Sequence, residues 1–94
     1  MHVTIRSYSG SPELADALAD RESDVRELIS GIDGFQAYYL IRGADGEATS
    51  ISVYDSASGG DESNRVAAEW LRDNLPDLSV APPEVTAGEA VIAF

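Results

Sequence analysis

"GFQAYYLIRGADGEATSISVYDS", residues 34–56, holds two alternating runs joined by a glycine-containing turn. Phe35, Ala37, Tyr39 and Ile41 share one face of the first run, and Gln36, Tyr38, Leu40 and Arg42 share the other. "GADG" (43–46) is a hairpin turn signal, after which Thr49, Ile51 and Val53 alternate with Ser50, Ser52 and Tyr54. Tyr38 and Tyr39 are neighbours, so in a strand their rings point to opposite sides. Both faces of this hairpin therefore need something to cover them.

Upstream, residues 2–8 ("HVTIRSY") alternate in the same way, with Val3 and Ile5 on one side and Thr4, Arg6 and Tyr8 on the other. "SGSP" breaks that strand, and Ser11 is placed to cap a helix with Pro12 and Glu13 in its first turn. Leu14, Leu18, Val25, Leu28 and Ile29 then mark one apolar stripe on a helix running to about Ser30, where Gly31 stops it. Downstream, "DSASGGDES" (55–63) reads as a polar loop whose Ser58 or Asp61 caps a helix over 61–74. Val66, Ala67, Trp70 and Leu71 share a face of that helix, and Pro76 ends it. Residues 76–88 read as an extended connection and "EAVIAF" (89–94) as the last strand.

The order β-α-β-β-α-β predicts one ferredoxin-like α+β sandwich over residues 1–94, a four-stranded antiparallel sheet with two helices on one face. The pattern leaves open which strand face meets the helices. Either choice leaves aromatic and aliphatic groups on the second face, which points to a homodimer formed through the open sheet face.

Composition narrows the partners. The chain has 17 acidic residues against 6 basic ones, all arginine, for a net charge of −11. Such a balance repels phosphate backbones and anionic lipid, so no nucleic acid and no membrane partner is expected. No cysteine is present, which removes disulfides and thiolate chemistry. "MHVTIRSYSG" has no signal-peptide pattern, and no apolar run approaches the roughly 20 residues of a membrane span, so a cytoplasmic protein is expected.

The hairpin, together with "GIDGF" before it and "ESNRVAAEW" after it, resembles the antibiotic-biosynthesis-monooxygenase-like group of dimeric α/β barrels. The resemblance covers nearly the whole chain. It implies a dimer, and a cavity between sheet and helices. Oxygenases of that group are implied to act without metal or flavin on electron-rich aromatics, using asparagine, tryptophan, arginine or tyrosine. Its haem-degrading relatives are implied to use a histidine on the second helix. Here the single histidine is His2 and "ESNRVAAEW" contains none, so haem degradation is disfavoured and no cofactor is expected.

Tyr38, Asn64, Trp70 and Arg6 are the catalytic candidates that the resemblance and the residue types support. Each also has an ordinary reading. Trp70 aligns with Val66 and Ala67, as a core indole would. Asn64 lies in the first turn of its helix, where capping or exposure is usual. A strand tyrosine such as Tyr38 or Tyr39 packs, with its hydroxyl at the rim. Arg6 and Arg42 suit an edge ion pair with one of many acids, and His2 sits beside the terminus. No phosphate-binding glycine motif, histidine–acid metal spacing or hydrolase triad is legible. Two functions remain: oxidation of an aromatic or quinol-like small molecule, or a non-catalytic ligand-binding or structural dimer. A void between sheet and helices able to hold a bicyclic molecule would separate them.

Overall fold

In the computed structural model, which describes residues 1–94, four strands form one antiparallel sheet covered on one face by helices. β1 (His2–Tyr8) is followed by α1 (Leu14–Asp20) and α2 (Glu22–Ser30), then by the hairpin β2 (Phe35–Arg42) and β3 (Ala48–Tyr54). α3 (Ala57–Asn74), a 3-10 turn (Pro76–Leu78) and β4 (Glu84–Glu89) complete the chain. The strand order β2-β3-β1-β4 is that of the ferredoxin-like sandwich. No helix is long and apolar enough to cross a membrane.

Register settles which side of each strand the helices cover. Val85, Arg6, Ser50 and Leu40 form one row across the sheet, and Ala87, Thr4, Ser52 and Tyr38 form the next. Thr4, Arg6, Tyr8, Ser50, Ser52 and Tyr54 are buried, so this mixed and partly polar set lies under the helices. Val3, Ile5, Ile51, Tyr39 and Ile41 occupy the other face, where Tyr39 is 59% and Ile41 47% exposed. The core that results is small: Tyr8, Leu14, Ala15, Leu18 and Ala48, with Trp70, Leu71, Val25 and Leu40 packed against it.

Five expectations from sequence are corrected. The first helix is two helices, because Arg21 leaves the helical region (φ −113°, ψ 32°). Its stripe has two anchors, Leu14 and Leu18 in the cluster with Tyr8 and Ala48, and Ile29, whose carbonyl accepts the Tyr54 hydroxyl at 2.9 Å. Ala48 and Tyr54 are opposite ends of β3, and a bend lets the helical segment follow both along the twisted sheet. Ser11 is not the cap; Glu13 holds that position, and Ser11 contributes only its carbonyl, to Leu14 N at 3.1 Å.

A bulge between Phe35 and Ala37 makes Gln36 the extra residue, which moves Phe35 to the helix side, where its ring meets Tyr54 edge-on at 5.9 Å. α3 begins at Ala57 rather than 61, so Ser58 and Asp61 lie inside it. The cause is close approach to the sheet. A Cβ on Gly59 would stand 2.8 Å from the Tyr54 ring, and one on Gly60 would stand 2.5 Å from Thr4 Oγ1. The last strand is 84–89, not 89–94. β1 offers ladder partners from Ser7 opposite Glu84 to His2 opposite Glu89, and the bond from Ala90 N to Met1 O at 2.9 Å closes the pairing. Val91, Ile92 and Phe94 lie beyond it, exposed.

Candidate functional site

Strand alternation sends Arg6 inward from the middle of β1, beneath the first turns of α3. Its side chain is buried, at 2% exposure, and every hydrogen-bond partner it has is neutral. Nη1 donates to Ser63 Oγ at 3.1 Å and to Asn64 Oδ1 at 3.0 Å, and Nη2 donates to Ser52 Oγ at 3.3 Å. Ser63 in turn donates to the Gly60 carbonyl at 2.6 Å. Nε has no partner, nor do the nearby buried hydroxyls of Thr4 and Ser50. No carboxylate lies within ion-pair distance of Arg6, so the expected edge ion pair does not form there. It forms at Arg42, which pairs with Asp16 at the surface.

Two phenols flank this cation. Burial pushes Tyr8 and Tyr38 up from the ordinary value of 10.0, and the Arg6 charge partly offsets the rise in both. Both are therefore protonated at neutral pH and available as hydrogen-bond donors. Tyr54 is raised by burial as well, and its proton is committed to the Ile29 carbonyl.

Space opens on both sides of this polar group. A cleft of about 640 Å³ between α3, the 76–83 connection and β4 has Arg6, Tyr8 and Asn64 in its lining, with Leu71, Leu75, Val80 and Val85 among its walls. That volume lies in the range of small-molecule sites. A second cleft of about 600 Å³ lies between α2 and β2 and reaches Tyr38, Val25 and Ile29. Between them is a void of only about 30 Å³, lined by Arg6, Tyr8, Tyr38, Trp70, Leu71 and other apolar side chains. The middle of the sandwich is thus filled by aromatic and aliphatic groups, while its two flanks have room for a bicyclic molecule.

The structure brings Arg6 and Asn64 into direct contact and places Tyr38 and Trp70 at the void beside them. Asn64 is neither a cap nor free in solvent. Trp70 packs against the core and carries the Arg21 guanidinium 6.0 Å from its ring centre. Tyr39 lies on the opposite sheet face, and His2 sits against Gly60 at the far end of β1. Ser52, Ser63 and Tyr8 are members of the site that sequence reasoning passed over. Ser52 and Tyr8 share the strand face of Arg6, but alternation leaves open whether that face is inward, and Ser63 on α3 carries no signal of its own. No group of three or more His, Cys, Asp or Glu side chains is arranged to hold a metal ion.

No family model matches the chain, and no curated protein matches it. Solved structures do. A Deinococcus radiodurans protein assigned as an antibiotic biosynthesis monooxygenase superposes with a TM-score of 0.73 at 21% identity, over 100% of this chain and 96% of its own. The monooxygenase of the ActVA-Orf6 gene of Streptomyces coelicolor, in complex with nanaomycin D, gives 0.71 at 20% identity, over 99% and 89%. SnoaB, a cofactor-independent oxygenase from Streptomyces nogalater, gives 0.64 at 16% identity, over 99% and 95%. At such identities the likeness carries the fold, and at that level the resemblance read from the sequence holds.

Proposed function

We propose that this chain, which has the fold of the antibiotic-biosynthesis-monooxygenase-like dimeric α/β barrels, oxidises an aromatic or quinol-like small molecule in the cleft beside Arg6. The observation that carries this reading is the buried guanidinium, held by Ser52, Ser63 and Asn64 at the edge of a largely apolar cleft of about 640 Å³. A positive charge there favours loss of a proton from a bound hydroxyl, because the oxyanion left behind is stabilised where water is scarce. Tyr8 and Tyr38 are protonated and cannot be the base, so the proton leaves to water at the open mouth. The electron-rich anion then reacts with dioxygen. For a methylene flanked by aromatic rings the balance is one CH₂ and one O₂ giving one carbonyl and one water. The cofactor-independent neighbour from Streptomyces nogalater supports a reaction of this kind on this fold. Asn64 and Ser63 position Arg6, while Tyr38 and Trp70 line the small void behind it rather than the cleft itself.

Oxygen uptake with a panel of hydroquinones and anthrone-type compounds tests the proposal. Uptake is expected above the spontaneous rate. Arg6→Met should lose on the order of 100-fold of the catalysed rate, as removal of an oxyanion donor does elsewhere, and Tyr38→Phe should lose less. Uptake indistinguishable from autoxidation across the panel would leave the non-catalytic ligand-binding dimer as the better reading. We also infer that two copies associate through the open sheet face, where Tyr39 and Ile41 are exposed and Val3, Ile5 and Ile51 are half-buried.

A further inference from the structure

We infer that the ligand of the cleft beside Arg6 is an aromatic carboxylate, with its carboxylate on the Arg6 guanidinium and its ring against the apolar walls. The inference rests on the cleft being the small-molecule site proposed above, and it specifies the chemical class that the site takes. The first support is charge. In a chain with 17 acids, the lining of this cleft contains two arginines, Arg6 and Arg72, and not one aspartate or glutamate. Four of the other five arginines stand beside a carboxylate, and the fifth, Arg21, stacks over Trp70. Arg6 alone is both buried and without an anion. A buried cation whose partners are all neutral carries an uncompensated desolvation penalty, and an anionic ligand offsets it.

Geometry narrows the anion. A guanidinium has five N–H groups; three are bonded to Ser63, Asn64 and Ser52, and Nε, which has no partner, is sealed from the cleft. A carboxylate, with a single charge, matches the single charge of the guanidinium at the cleft edge. A phosphate suits it less, because its charge approaches two and the only other arginine in the lining, Arg72, is exposed and leans toward Asp73 at 3.7 Å. At the mouth, Arg72 helps draw an anion toward a protein whose overall charge repels it. The body of the ligand follows from the walls, since Ala68, Leu71, Leu75, Val80 and Val85 offer apolar contact and no hydrogen-bonding side chain. A hydroxyl ortho to the carboxylate would fall in the field of the same guanidinium, which joins this ligand class to the oxidation proposed above.

Isothermal titration calorimetry under anaerobic conditions, with 2-naphthoate and its neutral isostere 2-naphthamide, tests the inference. Neither probe carries an oxidisable hydroxyl, so the result does not depend on catalysis. 2-Naphthoate should bind at least about tenfold more tightly than 2-naphthamide, the smallest gap expected of a hydrogen bond to a charged group, and the gap should narrow with added salt. Arg6→Met should abolish the preference while melting no lower than wild type, because an unpaired buried cation adds little to stability. Should Arg6→Met fail to fold, Arg6→Lys decides: the charge alone should keep the preference for naphthoate over the amide. Equal binding of the two probes, no binding of either, or a preference that survives Arg6→Met overturns the inference. Naphthoate binding without oxygen uptake by any hydroquinone would sustain this inference and defeat the oxidation proposal. Uptake with equal affinity for acid and amide would do the reverse.

Discussion

Arg6 and the phenols around it show how burial assigns roles to residues that look ordinary in sequence. Tyr8, Tyr38 and Tyr54 all have their phenols raised above 10.0 by burial. The folded chain therefore keeps protons that the unfolded chain releases as pH rises past about 10. By linkage, this contribution to stability is complete below about pH 10 and is lost as pH climbs from there through the raised folded-state values. A Tyr39→Phe variant, which retains only these three tyrosines, gives the clean readout. Its tyrosinate absorbance should lag behind that of free tyrosine and rise together with loss of the far-UV circular dichroism signal. Titration of all three at the free value with the fold intact would refute the account. At this scale the sequence was half legible. Arg6, Tyr38, Asn64 and Trp70 were nominated from residue type and resemblance, whereas Ser52, Ser63 and Tyr8 acquire meaning only from their distance to Arg6.

Among the elements, α3 shows best how local sequence and packing compete. Two consecutive glycines read as a loop, since each costs a helix interior about 1 kcal/mol relative to alanine. They are helical here because nothing larger fits between the helix and Thr4, His2 and Tyr54. Gly60→Ala should therefore destabilise the fold by about 1–3 kcal/mol, as overpacking does, despite the better helix propensity of alanine. Urea unfolding checks this, with Gly88→Ala as the comparison, because a Cβ there meets nothing within 4 Å. A Gly60→Ala variant as stable as wild type would mean that the helix does not press on the sheet as described. β4 is the converse case. An apolar composition favoured residues 89–94 as the strand, but a strand needs a ladder partner, and the edge of β1 away from β3 pairs with residues 84–89. Pairing is a property of two segments, so no reading of one segment alone locates it.

At the scale of the whole molecule, the unusual feature is a sheet whose more apolar side faces away from its own helices. Burying Val3, Ile5, Ile51, Tyr39 and Ile41 against a second copy removes that surface from water. Light scattering should give about twice the chain mass of 10.0 kDa, and Tyr39→Lys should return it to the single-chain value, since a lysine on each copy would face apolar surface. Added salt should favour the pair by screening the charge of −11 carried by each chain. A wild-type protein of single-chain mass, or a Tyr39→Lys variant that keeps the doubled mass, would contradict the association.

The order of the strands, the hairpin, the sandwich class and the presence of apolar side chains on both sheet faces are legible in the sequence, because these follow from periodicity and turn chemistry within short windows. Tertiary structure decided which face the helices take, where the last strand lies, and that Arg6 stands buried away from every acid. Alternation defines two sets of side chains without saying which is inside. The partners that decide it for Arg6 lie 46, 57 and 58 residues away along the chain.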